Sequence, residues 1–324
     1  MEAILNRVST AGRAERRAIL IAGPTASGKS ALALALAEQI NGVIVNADSM
    51  QVYHDLQIVT ARPSVDEEER VPHLLYGIVP ADLVFSTGEW LRRAIELLGV
   101  VAARGQVPIF VGGTGLYFKA LLGGFADLPE IDPDVRARCR AFAAEGGVDA
   151  VRAALRAKDP EGEAGLVDLQ RLTRALEVVE STGRPLHVWQ ADCHSDPVLP
   201  IADTVPIVLA PPRPWLHKRI EERAHMMIND RGRAEVAALL AKGLDPDLPA
   251  MRAIGVREIG GLLFGRLSKA QAVQQLTIAT RQYAKRQETW FRNQMADWHR
   301  LDPAIHTLSS NREKIMQHFA LHTQ

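Results

Sequence analysis

Apolar residues follow two rhythms along this chain, and their alternation sets the expected architecture. Short unbroken apolar runs stand at 18–22, 42–45, 108–111 and 205–209, each flanked by Gly, Pro or Asn. Runs of this length between turn residues read as strands buried on both faces, as in a parallel sheet. A less regular stretch, 73–79, is expected to add a further strand. Between these runs, apolar positions recur every three or four residues over 31–40, 87–104, 214–228, 234–242 and 268–295, which predicts helices. Ser86-Thr87-Gly88-Glu89 predicts a capping box before the second helix, and Gly243 a cap after the fourth. The acidic run 66–69 predicts a solvated helix start, and the residues from Asp48 to Pro63 an irregular loop. Strands alternating with helices give an α/β fold with a mostly parallel sheet flanked by helices.

The texture changes between 123 and 203. Pro129 and Pro133 mark the boundary, and three helical stretches rich in Arg, Ala and Glu follow at 133–145, 148–157 and 168–182. Pro, Asp and Ser gather again at 192–203. The expected organisation is a tail at 1–17, a core made of 18–122 and 204–324, and an inserted helical domain at 123–203.

Composition narrows the classes without naming a function. With 324 residues, 47% hydrophobic and 23% charged, the chain reads as an ordinary soluble globular protein. Cys139 and Cys193, far apart in sequence, exclude a disulfide framework and a cysteine zinc site, and fit a reducing cytoplasm. No signal peptide or membrane span is expected from the polar first 17 residues and the five-residue apolar run after them. Net charge is zero, but residues 251–300 carry nine Lys/Arg against three acids, a local +6. Such a concentration is the footprint of a nucleic-acid partner, or equally a solvated helix face.

Gly23-Pro24-Thr25-Ala26-Ser27-Gly28-Lys29-Ser30 matches the phosphate-loop pattern G-x4-G-K-[ST], with an apolar strand before it and a helix after it. Backbone N–H groups of such a loop converge on phosphate oxygens, Lys29 reaches the outer phosphate, and Ser30 ligates Mg2+. The core is therefore P-loop NTPase-like. The motif reads a diphosphate and is silent about what the diphosphate carries. A nucleotide-splitting enzyme of this type has an acid at the end of another strand. Here 108–111 ends in Gly112-Gly113-Thr114 and 205–209 in Ala210-Pro211-Pro212. Asp48 is the carboxylate left at a sheet edge, with Thr114 expected beside it. A plain turn-forming role for Asp48 stays open on these grounds alone. His54, His73 and His217 lack metal-ligand spacing and read as ordinary polar residues; Met226 and Met227 read as core.

Six blocks in this order, GPTASGKS, NADSMQVY (46–53), VGGTGLYFKALL (111–122), LQRLTRALEV (169–178), HKRIEERAHMM (217–227) and AKRQETWFR (284–292), resemble the tRNA dimethylallyltransferases. Eukaryotic members add a zinc finger whose Cys and His pairs this sequence lacks, so the resemblance is to the bacterial type. It implies transfer of a dimethylallyl group from dimethylallyl diphosphate to N6 of adenosine 37 in tRNA. Asp48 then corresponds to the base and Thr114 to its neighbour at the reaction centre. Lys29 and Arg223 neutralise the leaving diphosphate held by Gly23 to Ser30, with Mg2+ at Ser30. The resemblance also implies tRNA contacts from Asp48, Ser49, Met50, Gln51 and Thr114. The insertion would add Arg136, Gln170, Arg171, Leu172, Thr173 and Arg174. The C-terminal part would add Arg252, Ala253, Ile254, Gly255, Val256 and Arg257, then Lys285, Arg286, Gln287, Glu288, Thr289, Trp290, Phe291 and Arg292. The expected protein is a cytoplasmic monomer whose partners are the tRNA anticodon stem-loop and the allylic diphosphate.

Three alternatives remain at this level. An isopentenyltransferase acting on free AMP or ADP would use the same donor loop, a small-molecule kinase would place ATP there, and a nucleotide-gated RNA-binding protein would need no base. The helical insertion and the basic C-terminal helix favour tRNA as acceptor.

Overall fold

The computed structural model describes residues 18–123, 131–192, 196–305 and 308–321. The expected tail 1–17, Pro129 and Cys193 lie outside them. In chain order the core begins with β1 (Ala18–Ala22), α1 (Lys29–Ala37), β2 (Gly42–Asn46), α2 (Val65–Arg70), β3 (His73–Leu74), α3 (Thr87–Ala103), β4 (Val107–Gly112) and α4 (Gly115–Leu121). A separate compact unit, Gly123–Pro197, holds α5 (Pro133–Lys158), α6 (Pro160–Glu163), α7 (Leu169–Thr182) and α8 (Leu186–Ala191). The core resumes at Val198 with β5 (Thr204–Leu209), α9 (Arg213–Met227), α10 (Asp230–Ala241), α11 (Val256–Leu263), α12 (Lys269–Gln294), β6 (His299–Leu301) and α13 (Leu308–Leu321).

Six strands form one sheet in the order β3-β2-β4-β1-β5-β6, and every pairing among the described residues is parallel. β1 lies between β4 and β5 and is buried along its whole length. Its side chains alternate between faces. Ile19 and Ile21 pack with Leu32 and Leu36 of α1, whereas Ala18, Leu20 and Ala22 join Trp90, Phe110, Tyr117 and Phe118. Burial on both faces is why the strand reads as an unbroken apolar run. A third cluster joins the loop after β2 to α9, α10, α11 and α12 through Leu56, Val59, Val236, Ile259 and Leu276. The unit Gly123–Pro197 packs its own core from Cys139, Val151, Leu155, Leu172 and Leu176.

Several expectations need correction. The stretch 73–79 is a strand only over His73–Leu74, because Leu75 (φ 63°) and Gly77 (φ 58°) turn the chain left-handed. Ser86 does cap α3 by accepting from the Glu89 N–H, but Glu89 does not answer as a capping box; its carboxylate pairs with Arg92 and Arg93. The helices expected at 133–145 and 148–157 are as read: α5 is two helical stretches that meet at the non-helical Gly147 (φ 65°, ψ −162°). Met227 is core, but Met226 is largely exposed. The short elements α6, α8, α11 and β6, and the terminal α13, were not anticipated.

The carboxyl ends of β2 and β4 meet backbone to backbone. Thr114 N–H donates to the Ala47 carbonyl (3.1 Å), Ala47 N–H donates to that of Val111 (2.8 Å), and a Cβ on Gly112 would stand 1.9 Å from the Ala47 oxygen. Gly112→Ala is therefore expected to destabilise the fold by about 1–3 kcal/mol or more, since backbone cannot yield as a side chain can. Gly99, exposed on α3 with open space at its Cβ, is the control. Gly99→Ala is expected to stabilise by about 0.5–1 kcal/mol. Urea unfolding of both variants measures the pair, and an unchanged midpoint for Gly112→Ala would contradict the close approach.

Candidate active site

Three loops converge beyond the carboxyl edge of the sheet, where open α/β folds bind ligands. The first follows β1. Ser27 N–H donates to the Pro24 carbonyl (3.3 Å), closing a turn in which Ala26 has φ 63°, and Gly28 (φ 90°) then starts α1. No side chain caps α1, so its first N–H groups remain free for an anion. The Ser27 hydroxyl is fully buried without a hydrogen-bond partner and lines the same hollow. Lys29 folds back so that Nζ donates to the Pro24 carbonyl at 2.7 Å. Burial pulls its pKa down to about 8, with Asp48 opposing and Arg223 adding to the fall.

The second loop follows β2 and is set by Asn46, a fully buried amide. Its Nδ2 donates to the carbonyls of Asp48 (3.0 Å) and Leu75 (3.1 Å), its Oδ1 accepts the Asp48 N–H (2.8 Å), and its own carbonyl accepts Trp90 Nε1 (2.8 Å). Trp90 in turn stacks on Tyr117, centroids 4.3 Å apart. Asp48 is thus locked at the sheet edge, with Oδ1 accepting the Met50 N–H (2.9 Å). The third loop follows β4. Thr114 Oγ1 accepts the Ser49 N–H (2.9 Å) and lies 3.3 Å from Ser49 Oγ, so Asp48 and Thr114 belong to one hydrogen-bonded junction.

Two cavities adjoin at this junction. One, of about 460 Å3, is lined by Ala26 to Ala31, with Lys29, Arg62, Arg219 and Arg223 set against the carboxylates Asp48, Glu67 and Glu222. The other, of about 270 Å3, has the apolar walls Met50, Val59, Met227 and Ile254, with Tyr283 and Arg286. Thr25, Asp48, Thr60 and Arg223 line both. Arg223 donates from Nη2 to the Thr60 carbonyl (3.0 Å), while its buried Nε has no partner. Burial lowers its pKa and Asp48 opposes the shift. Burial also pushes the Tyr283 phenol well above its ordinary range, and Asp48 pushes the same way. An anion on one side, an apolar group on the other and a carboxylate between them are what this arrangement can hold.

The remaining expected residues divide by exposure. Arg252 and Arg257 are exposed, whereas Ala253 and Val256 are core and Gly255 (φ 110°) starts α11 against Val59. Ile254 walls the smaller cavity. On α12, Lys285, Arg286, Thr289 and Trp290 line an outer groove of about 480 Å3, and Arg292 is exposed. Phe291 and Gln287 are buried, and Glu288 pairs with Arg213 at 3.8 Å. The side chains of Phe291, Gln287, Ala253 and Val256 are therefore buried away from solvent. Gln51 is tied inward to the carbonyls of Thr60 and Ala61 (2.9 Å each). In the unit Gly123–Pro197, Arg136 is partly exposed, Gln170 and Arg171 are exposed, and Arg174 pairs with Glu177 (3.2 Å). Leu172 and Thr173 there are buried, a correction to their expected contact with tRNA. Arg281, one turn before Lys285, is paired with Glu221 at 3.3 Å.

Sequence reasoning missed Arg62, Arg219 and Glu235. Arg219, one helical turn before Arg223, donates from Nε to the Ala26 carbonyl (2.9 Å), and the four-residue spacing could have flagged it. Glu235 accepts three consecutive N–H groups, from Gln57, Ile58 and Val59 at 2.7–2.9 Å, and so anchors the loop that carries Thr60. No local pattern signals that contact.

Comparison with known proteins agrees with this geometry. The family described as IPP transferase matches residues 51–294, and that described as isopentenyl transferase matches 16–75. The chain is 52% identical over 288 residues to a tRNA dimethylallyltransferase of Rhizobium etli, covering 88% of this chain and 96% of that one. It is 49% identical to that of Rhizobium meliloti, covering 88% and 95%. The tRNA isopentenylpyrophosphate transferase of Bacillus halodurans superimposes with a TM-score of 0.68 at 32% identity, covering 95% and 97%. A eukaryotic dimethylallyltransferase, crystallised while acting on tRNA, gives 0.76 at 25% identity, covering 89% of this chain and 74% of that one. With a family match over three quarters of its length and relatives about half identical along most of it, this chain belongs to the IPP transferase family, that of the tRNA dimethylallyltransferases.

Proposed function

We infer that this protein transfers a dimethylallyl group from dimethylallyl diphosphate to N6 of adenosine 37 in tRNA and releases diphosphate. The observation that carries the reading is Asp48, which lines both the phosphate-loop hollow and the apolar cavity. The diphosphate would occupy the N–H groups at the start of α1, with Lys29, Arg219 and Arg223 around it, and the isoprenoid would take the apolar walls. The adenine amine attacks the allylic carbon as the carbon–oxygen bond breaks. The bonding pair leaves with the diphosphate, and Asp48 accepts the N6 proton. Arg223 and Lys29 stabilise the charge growing on the leaving group, the larger part of such catalysis. Exclusion of water by Met50, Val59 and Met227 protects the electron-poor carbon.

Mg2+ fits the residues present. Among the described residues there is no cluster of three or more His, Cys, Asp or Glu side chains that could cage a metal. Mg2+ characteristically takes few protein ligands and completes its shell with phosphate oxygens and water. Ser30, exposed in the first turn of α1, would hold it, and it would neutralise charge on the diphosphate.

For the acceptor, stacked adenine cannot reach a sheet-edge carboxylate, so the nucleotide is expected to be flipped into the protein. The outer groove of α12 supplies basic residues for the RNA backbone. A free nucleotide would leave that groove unused. Among the described residues no helix is long and apolar enough to cross a membrane.

Three measurements test this reading. Asp48→Asn keeps the acceptor for the Met50 N–H but loses the base, so single-turnover transfer should fall by about 10^2–10^4 with donor affinity nearly intact. Near-normal turnover would reduce Asp48 to a turn residue. With its pKa near 8, Lys29 loses its proton above that pH, and a polyanion binds best to the charged form. Diphosphate affinity should then be full below pH 8 and fall by up to about tenfold per unit above it. In Lys29→Arg, which stays charged, that component should vanish; parallel titration curves for the two proteins would exclude the role. Finally, Lys285→Ala with Arg292→Ala should flatten the slope of log tRNA affinity against log salt by about 1.4–1.8 if both side chains meet phosphate. An unaltered slope would make this a merely solvated face.

A further inference from the structure

Gln287 sits on the helix that carries the basic groove, yet its side chain points the other way and is 5% exposed. Its Oε1 accepts the Thr25 N–H at 2.8 Å, and its Nε2 donates to the Gly113 carbonyl at 3.0 Å. The amide orientation is forced, since a backbone donor faces one end and a backbone acceptor the other. Glycine makes the approach possible: a Cβ on Gly113 would lie 2.0 Å from Gln287 Nε2, and one on Gly115 would lie 1.8 Å from Trp290 Nε1.

Both partners of this amide matter to the chemistry. Thr25 is the second residue of the turn Pro24–Ser27, so its N–H has no acceptor within that turn. The third residue, Ala26, is held at a positive φ that non-glycine residues disfavour. Gln287 from one side and Arg219, on the Ala26 carbonyl, from the other hold that turn in shape. Gly113 directly precedes Thr114. One side chain therefore ties the phosphate loop to the turn at the reaction centre.

The geometry points to Gln287 as a positioning residue rather than an RNA contact. It clamps the donor loop and the Thr114 turn to α12, so the helix whose outer face takes RNA fixes the donor geometry with its inner face. This rests on the transferase reading for its second half; the clamp on the phosphate loop stands without it.

The experiment compares the wild type with Gln287→Met, similar in volume but without hydrogen bonds, and Gln287→Glu, which keeps an acceptor for Thr25 but sets an anion against the Gly113 carbonyl. Inorganic diphosphate with Mg2+, titrated by calorimetry, needs no transfer. Its affinity should fall about tenfold in Gln287→Met, and an unchanged affinity overturns the clamp even if the wild type proves inactive. In transfer to tRNA, kcat should fall about 10- to 100-fold, as expected for misplaced reacting groups, while KM for tRNA stays within about twofold. A raised KM with unchanged kcat would make Gln287 an RNA contact and overturn the inference. No transfer by the wild type would instead sink the transferase reading.

A pH profile separates positioning from general damage. A protonated Glu side chain can donate to Gly113 while still accepting from Thr25. The activity of Gln287→Glu divided by that of the wild type should therefore rise as pH falls from 8 towards 5.5. The ratio cancels what Asp48, Lys29, Arg223, Tyr283 and Arg286 contribute, since they belong to both proteins. For Gln287→Met the ratio should stay flat. Ratios that run parallel in the two variants, or a kcat loss matching only the fraction of unfolded protein, overturn the clamp.

Discussion

The carboxyl ends of β2 and β4 touch through backbone alone, and the rest of the site depends on that contact. Gly112 has no room for a side chain against Ala47, so the two strand ends share hydrogen bonds normally reserved for the sheet. The loops that follow are thereby brought together, and Ser49 and Thr114 join through the threonine hydroxyl. Asp48 stands at the junction with its backbone pinned by the buried amide of Asn46. A carboxylate placed by a side chain on a free loop would lack this rigidity; one placed by a sheet edge has little freedom to lose on binding.

Charge then follows from burial. Lys29 and Arg223 are withdrawn from water with Asp48 as their common counter-charge, and both have their cationic forms disfavoured. In the low dielectric of such a hollow an incoming polyanion interacts more strongly than it would at the surface. Three arginines and a lysine around an uncapped helix start are costly for an empty fold and favourable once an anion arrives. The same logic explains why Arg219 and Arg62 spend their donors on loop carbonyls, Arg219 on Ala26 and Arg62 on Tyr53 and His54. They keep the loop shape, and their charge remains near the hollow.

Much of this was legible locally. The buried strands 18–22, 42–46, 107–112 and 204–209 declare themselves because residues buried on both faces must be apolar in unbroken runs. The phosphate loop declares itself because few backbones other than one with glycine at 23 and 28 can adopt its positive φ values. β3 was overread, since apolar content at 73–79 says nothing of the left-handed turn at Leu75. β6 escaped notice, since a three-residue edge strand with two exposed positions has no apolar run to show. The basic composition of α12 was compatible with a nucleic-acid partner but could not tell the helix's inner face from its outer one.

The sequence by itself determined the α/β class, the phosphate-loop motif, the sheet-edge positions of Asp48 and Thr114 and, through resemblance, the family. These are properties of neighbours along the chain: periodicity, turn chemistry and motif spacing act over a few residues, where covalent geometry already restricts the outcome. Only the tertiary structure decided that Gln287 faces the phosphate loop across 262 positions of sequence, that Glu235 holds the loop carrying Thr60, and that Phe291 and Leu172 are core rather than contact. Such pairings depend on how whole helices pack. A single buried amide or carboxylate finds its partners through space, with no sequence period to announce them.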